Sequence, residues 1–117
     1  MSGLALQGRI NMATSAEWHE NYAEMSELSL NFSRAVKSVQ EELEAVDWYN
    51  QRAQATSDEQ LRRILEHNRD EEIEHAMMGL EYLRRISPVF DKHMRTYLFT
   101  DGDIVEQESE SRIQNSE

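Results

Sequence analysis

Two stretches of this chain place seam residues at alternating steps of four and three, and both turn polar in the middle. In the first they are Leu28, Phe32, Ala35, Val39, Glu42, Val46, Tyr49 and Ala53. In the second they are Leu61, Leu65, Asn68, Glu72, His75, Gly79, Tyr82 and Ile86. This spacing is the contact line of a helical bundle or coiled coil. The two lines must therefore pack on each other or on copies from a second chain. A length of 117 residues allows one small domain. With 4 glycines and 1 proline, an all-β protein dense in turns is disfavoured.

The absence of cysteine excludes disulfides, iron–sulfur clusters, thiol chemistry and cysteine-based zinc sites. No apolar run is long enough to span a membrane or to act as a signal peptide, so no membrane association is expected. A formal net charge of -11 argues against binding nucleic acid and favours the concentration of cations.

Residues 1–23 lack a sustained period and read as a flexible arm. Residues 24–99 read as the helical body. A first helix from about Glu24 to Ala55 contains no glycine or proline, and strong helix formers dominate it. A break at Thr56-Ser57 follows, with Ser57 a candidate cap and Gln60 at the capping-box position. The second helix is expected over Asp58 to Ile86, ended by Ser87-Pro88. Pro88 then suits the first turn of a short third helix reaching about Phe99. Residues 100–117 form an acidic tail with little to pack, although Ile104 and Val105 could touch the body.

The short join makes the two long helices antiparallel neighbours. A lone hairpin leaves one side of each helix wet, and Leu43, Ile73, Met77 and Leu80 need covering as well. Two hairpins pressed into a four-helix bundle would bury them. The alternative is that the third helix covers the strip within one chain. The fold class expected is thus all-α, a two-helix hairpin plus a short C-terminal helix, dimerising into a four-helix bundle.

An ionised carboxylate in an apolar seam is costly unless a proton, a base or a metal pairs with it. Glu72 and His75 form Glu-x-x-His, and residues at i and i+3 project from one face. Counted from a joint near Thr56, Glu42 falls at about the level of Glu72, roughly 21–24 Å from the turn. One Glu from one helix and Glu-x-x-His from the next make half of a bundle di-iron site. Two-fold pairing would supply each ligand twice and complete it. Four carboxylates with two imidazoles favour iron, with manganese possible and zinc a competitor in vitro. Carboxylates stabilise Fe(III) over Fe(II), so the natural reaction is oxidation of Fe(II) by dioxygen.

The plainer reading is a structural Glu–His pair, because Glu-x-x-His alone is a weak signal in a Glu-rich helix. Asn68 and Tyr49 could support the ligands or be satisfied seam residues. Gly79 could allow close helix approach. Glu41, Glu44, Glu71 and Glu74 could form an acidic approach for cations or a solvated face. Trp48, one residue off the seam, is expected to pack at an interface. His19, His67 and His93 lack a comparable constellation.

The runs EELEAVDWYNQRA (residues 41–53), ILEHNRDEEIEHAMMGLEYLRR (64–85) and MRTYLFT (94–100) closely resemble the encapsulated ferritins. These are ferritin-like cargo proteins of encapsulin nanocompartments. The resemblance implies a half ferritin whose dimers rebuild the ferritin bundle and assemble into a ring-shaped decamer. It also implies a ferroxidase di-iron centre between subunits, with oxidised iron passing into a surrounding encapsulin shell in the cytoplasm. By motif, Glu42, Glu72 and His75 match its iron ligands, and Tyr49 and Trp48 match aromatic residues near the centre. Glu41 and Glu44 match acidic residues associated with metal access. One departure is the ending Ser111 to Glu117, which lacks the short Gly/Ser/Leu-type peptide that docks family cargo to the shell. Rival readings are a structural helical oligomer or cargo adaptor with an incidental metal site, and a di-iron oxygenase or peroxidase. For an organic substrate, a hairpin this narrow offers little room.

Overall fold

The computed structural model describes residues 18–108; the sequence expectations for 1–17 and 109–117 lie outside the described residues. The described structure is helical: α1 (Glu27–Ala55), α2 (Glu59–Ile86) and α3 (Pro88–Tyr97), preceded by one 3-10 turn at Tyr22–Glu24. At 1.5 Å per residue the long helices extend about 42–44 Å. No described helix is long and apolar enough to cross a membrane. The described residues form two compact units, one ending at Asn31 and the other beginning at Phe32.

In the first unit, the Asn21 side chain accepts from the Ala23 N–H and caps the 3-10 turn. The Trp18 and Tyr22 rings lie 5.7 Å apart. Ser26 Oγ then accepts from the Ser29 N–H, satisfying one of the free donors at the start of α1. The expected start at Glu24 thus falls three residues later, at Glu27, directly after a serine suited to capping.

In the second unit, Thr56 closes α1 by donating its hydroxyl to the Arg52 carbonyl. The cap of α2 is Asp58, whose carboxylate accepts from the Leu61 N–H at 2.8 Å. Ser57 is therefore displaced from that role, because a carboxylate is favoured at the positive end of the helix dipole. Ser87 ends α2 and caps α3, accepting from the Phe90 N–H with Pro88 in the first turn. After Tyr97 the backbone turns left-handed at Phe99, with φ 60°. A bulky side chain bears a steric cost of about 1–2 kcal/mol in that conformation. Ile104 and Val105 are exposed rather than docked. Gln107 folds its amide back onto the Asp101 and Asp103 carbonyls, making a local turn.

Register between α1 and α2 is set at Gly79. A Cβ at that position would lie 2.5 Å from Val39 Cγ2, so only glycine permits the approach. Farther along, Arg69 donates to Asn50 Oδ1 at 2.9 Å and repeats the antiparallel alignment. Buried apolar side chains in this unit are Val39, Ala53, Ala76 and Leu83. On α2 the fully buried side chains are Ala76 and Leu83, flanking Gly79 of the expected line; Leu65, Asn68, Glu72, His75 and Ile86 of that line are half-buried, and Leu61 and Tyr82 are exposed. A single partner helix can cover only one stripe, and the small residues allow the closest packing. Leu43, Trp48, Ile64, Ile73, Met77 and Met78 stay exposed.

α3 folds back so that Phe90 meets Phe32 edge-on, ring centroids 5.9 Å apart. It covers only the C-terminal end of α2 and leaves Met77 51% exposed, so it does not close the open strip. Its attachment is ionic as well as apolar. Arg84 binds Glu81 through two nitrogens at 2.8 Å and Asp91 at 2.7 Å. Arg85 and Arg95 add further bonds to Glu81 and Asp91. Hydrogen bonds from Arg84 and then Arg85 hold the Glu81 carboxyl down at about 2, from the ordinary 4.5. Arg95 and then Arg84 lower Asp91 in the same way.

Two outcomes are expected. Gly79→Ala should destabilise the protein by about 1 kcal/mol, since overpacking against a β-branched neighbour exceeds the helix-propensity gain. In a Val39→Ala background the same substitution should become stabilising, as measured by a denaturant double-mutant cycle. The contribution of Glu81 is complete above pH 4.5 and is lost as pH falls through about 2, because its folded-state value is depressed. The thermal midpoints of wild type and Glu81→Gln should therefore differ above pH 4.5 and converge near pH 2.

Candidate metal centre

Val39 and Gly79 meet across the hairpin, and on the side toward the joint Glu42 follows Val39 by about one turn of α1 while His75 lies about one turn from Gly79 on α2. Glu72 lies one further turn nearer the hairpin joint, about 4.5 Å along α2 from His75.

The Glu42 carboxylate is half-buried, and its Oε2 is fully buried with no hydrogen-bond partner. Buried carboxylate oxygens without a donor are unfavourable, and such an atom calls for a proton or a cation. On α2, Glu72 Oε2 and His75 Nδ1 stand 3.9 Å apart. The separation is too long for a hydrogen bond. It is short enough for both atoms to reach one cation through bonds of about 2.1 Å. Their side chains are 26% and 42% exposed, so both remain accessible from solvent.

These donors suit a borderline-hard divalent ion. Carboxylate oxygens and an imidazole are present; thiolate is not. Within one chain, however, no three His, Asp or Glu side chains among the described residues converge closely enough to hold a metal. Glu72 and His75 come together, Glu42 lies close along the axis, and the set is incomplete.

Glu41 and Glu44 are exposed and stand apart from the Glu42 oxygen that is buried. Trp48 is exposed on the same helix. Tyr49 is half-buried, and the Arg52 guanidinium lies over its ring at 5.4 Å from the centroid. Asn68 is half-buried; His19 and His93 are exposed. His67 has more company than the sequence reading allowed, since Glu71 Oε1 is 3.6 Å from its Nε2. The other Glu71 oxygen is 4.0 Å from His75 Nε2, so one carboxylate stands between two imidazoles. The i, i+4 spacing of His67, Glu71 and His75 was the available signal. Arg52 was also missed, although its position three residues after Tyr49 marks it as a neighbour.

Residues 17–101 match the EncFtn-like family. A "Ferritin-like protein" of Thermotoga maritima is 54% identical over 95 residues, covering 81% of this chain and 83% of that protein. An "Encapsulated ferritin-like protein" of Rhodospirillum rubrum is 56% identical over 86 residues, 74% of this chain. That match spans 61% of the Rhodospirillum protein's length. A Nitrosomonas europaea protein of known crystal structure superposes with a TM-score of 0.72 at 52% identity. It covers 74% of this chain and 96% of its own.

Replacing the unpartnered carboxylate tests its cost directly. Glu42→Leu should raise the stability of the metal-free protein by about 1 kcal/mol, read as an increased denaturant midpoint.

Proposed function

The chain belongs to the EncFtn-like family, and from that premise we propose that it is a ferroxidase acting at a centre shared by two copies. A ferritin-like, iron-related role comes with the family. The observation that carries the finer reading is the buried Glu42 oxygen without a partner, set beside the Glu72–His75 pair. Two-fold pairing of hairpins would bring Glu42, Glu72 and His75 together twice. The apolar strip through Ile73 and Met77, exposed in one chain, would supply the interface.

Fe(II) is the substrate, attracted by the acidic surface that includes Glu41 and Glu44. Each Fe(II) gives one electron to dioxygen, and the carboxylates favour the Fe(III) product because their charge offsets its higher charge. Glu42, Glu72 and His75 hold the ion pair in place. Tyr49 offers a hydroxyl for hydrogen bonding beside the ligands. Binding also relieves the electrostatic cost of opposed carboxylates, so metal uptake and subunit association promote each other. The family resemblance supports a ring-shaped decamer. The name of the Rhodospirillum relative supports enclosure by an encapsulin shell in the cytoplasm, with oxidised iron delivered to its interior.

Anaerobic loading with Fe(II) followed by air should produce an absorbance rise from Fe(III). Glu42→Ala, Glu72→Ala and His75→Ala should each slow it by at least about tenfold, since even outer-shell changes at metal sites cost that much. Oxidation at the wild-type rate in all three would refute the site and favour a structural oligomer. Native mass spectrometry with and without Fe(II) should show subunit number and bound metal rising together.

A further inference from the structure

We infer that Arg52 is a positioning residue for Tyr49, fixing the direction of its phenol toward the level of Glu72; this rests on the ferroxidase reading. Arg52 follows Tyr49 by three residues on α1, and its guanidinium carbon lies 5.4 Å from the Tyr49 ring centroid. Helical side chains lean toward the N-terminus, so Arg52 naturally reaches back across the ring one turn below. A guanidinium within about 6 Å of an aromatic face is held by the ring quadrupole, and its planar shape favours stacking.

The placement gives this contact a consequence beyond packing. Val46 on α1 and Glu72 on α2 each lie seven residues toward the joint from the Val39–Gly79 contact, and Tyr49 follows Val46 by one turn of α1. Tyr49 thus lies about 4.5 Å along α1 beyond Val46. A phenol can span that distance if its ring stays directed along the hairpin. Swinging outward would separate the ring from Arg52. The other nearby guanidinium, Arg69, is committed to Asn50 at 2.9 Å and Asp70 at 3.0 Å, which pins α2 to α1 at the same level. Arg52 thus restricts the ring and Arg69 restricts the helices that carry it.

The test compares Arg52→Gln and Arg52→Lys with wild type in the full chain, with and without Tyr49→Phe. In metal-free protein carrying 13C-labelled tyrosine rings, the Tyr49 signal, identified by its loss in Tyr49→Phe, should shift in Arg52→Gln. Arg52→Lys should restore most of it. Under Fe(II) and air, Arg52→Gln should lower the maximal oxidation rate about two- to fivefold, the equivalent of an exposed cation–π contact. The Fe(II) concentration for half-maximal rate should stay unchanged, and Tyr49→Phe should abolish the effect of Arg52→Gln. An unmoved Tyr49 signal would overturn the proposal. So would an equal loss from Arg52→Gln in the Tyr49→Phe background. Failure of the ferroxidase reading shows separately, as full oxidation after loss of Glu42, Glu72 or His75. In that event a Tyr49 signal that still moves would overturn only the role of Arg52 in oxidation.

Discussion

The close approach of α1 and α2 at Gly79 organises everything around it. Without a Cβ there, Val39 sinks against the α2 backbone, and the two helices meet closely at this point. That contact leaves Glu42 and His75 each about one turn toward the joint. It also brings Asn50 to Arg69, a polar bond that repeats the same alignment farther toward the joint. A larger residue at Gly79 would push the helices apart and weaken both consequences.

The same packing leaves the chain with too few partners. One helix can bury one stripe of its neighbour, and the stripe chosen here is lined by small residues, Ala76 and Gly79, together with Leu83. The second stripe, through Ile73 and Met77, remains exposed, and α3 reaches only its C-terminal end. Apolar surface without cover and a carboxylate oxygen without a donor are different deficits, yet they lie on one hairpin. The proposed pairing of two copies around iron answers both: apolar surface finds apolar surface, and buried negative charge finds a cation.

The attachment of α3 follows another logic. Arg84 joins Glu81 on its own helix to Asp91 on α3, and Arg85 and Arg95 complete a chain of charge-assisted bonds. These side chains remain partly solvated, so their energetic value is discounted by solvent screening. What the network supplies is orientation: α3 is held to the end of α2 by directional bonds while Phe90 packs on Phe32. Just beyond, the chain leaves the helix through a left-handed Phe99.

Local patterning alone determined the all-helical character, the break after Ala55, the stop at Ser87-Pro88 and the pairing of Glu72 with His75. These depend on residues within a few positions of one another, where spacing along a helix fixes geometry. The stripe that is buried, the axial level of Glu42 and the isolation of its Oε2 were decided by tertiary structure, because they depend on how one helix slides and rotates against another. The expected line on α2 and its neighbours Ala76 and Leu83 meet at Gly79, and how deeply each position sinks there depended on the contact with Val39. Arg52 over Tyr49 lies between these cases: the spacing permitted it, but a rotamer had to select it.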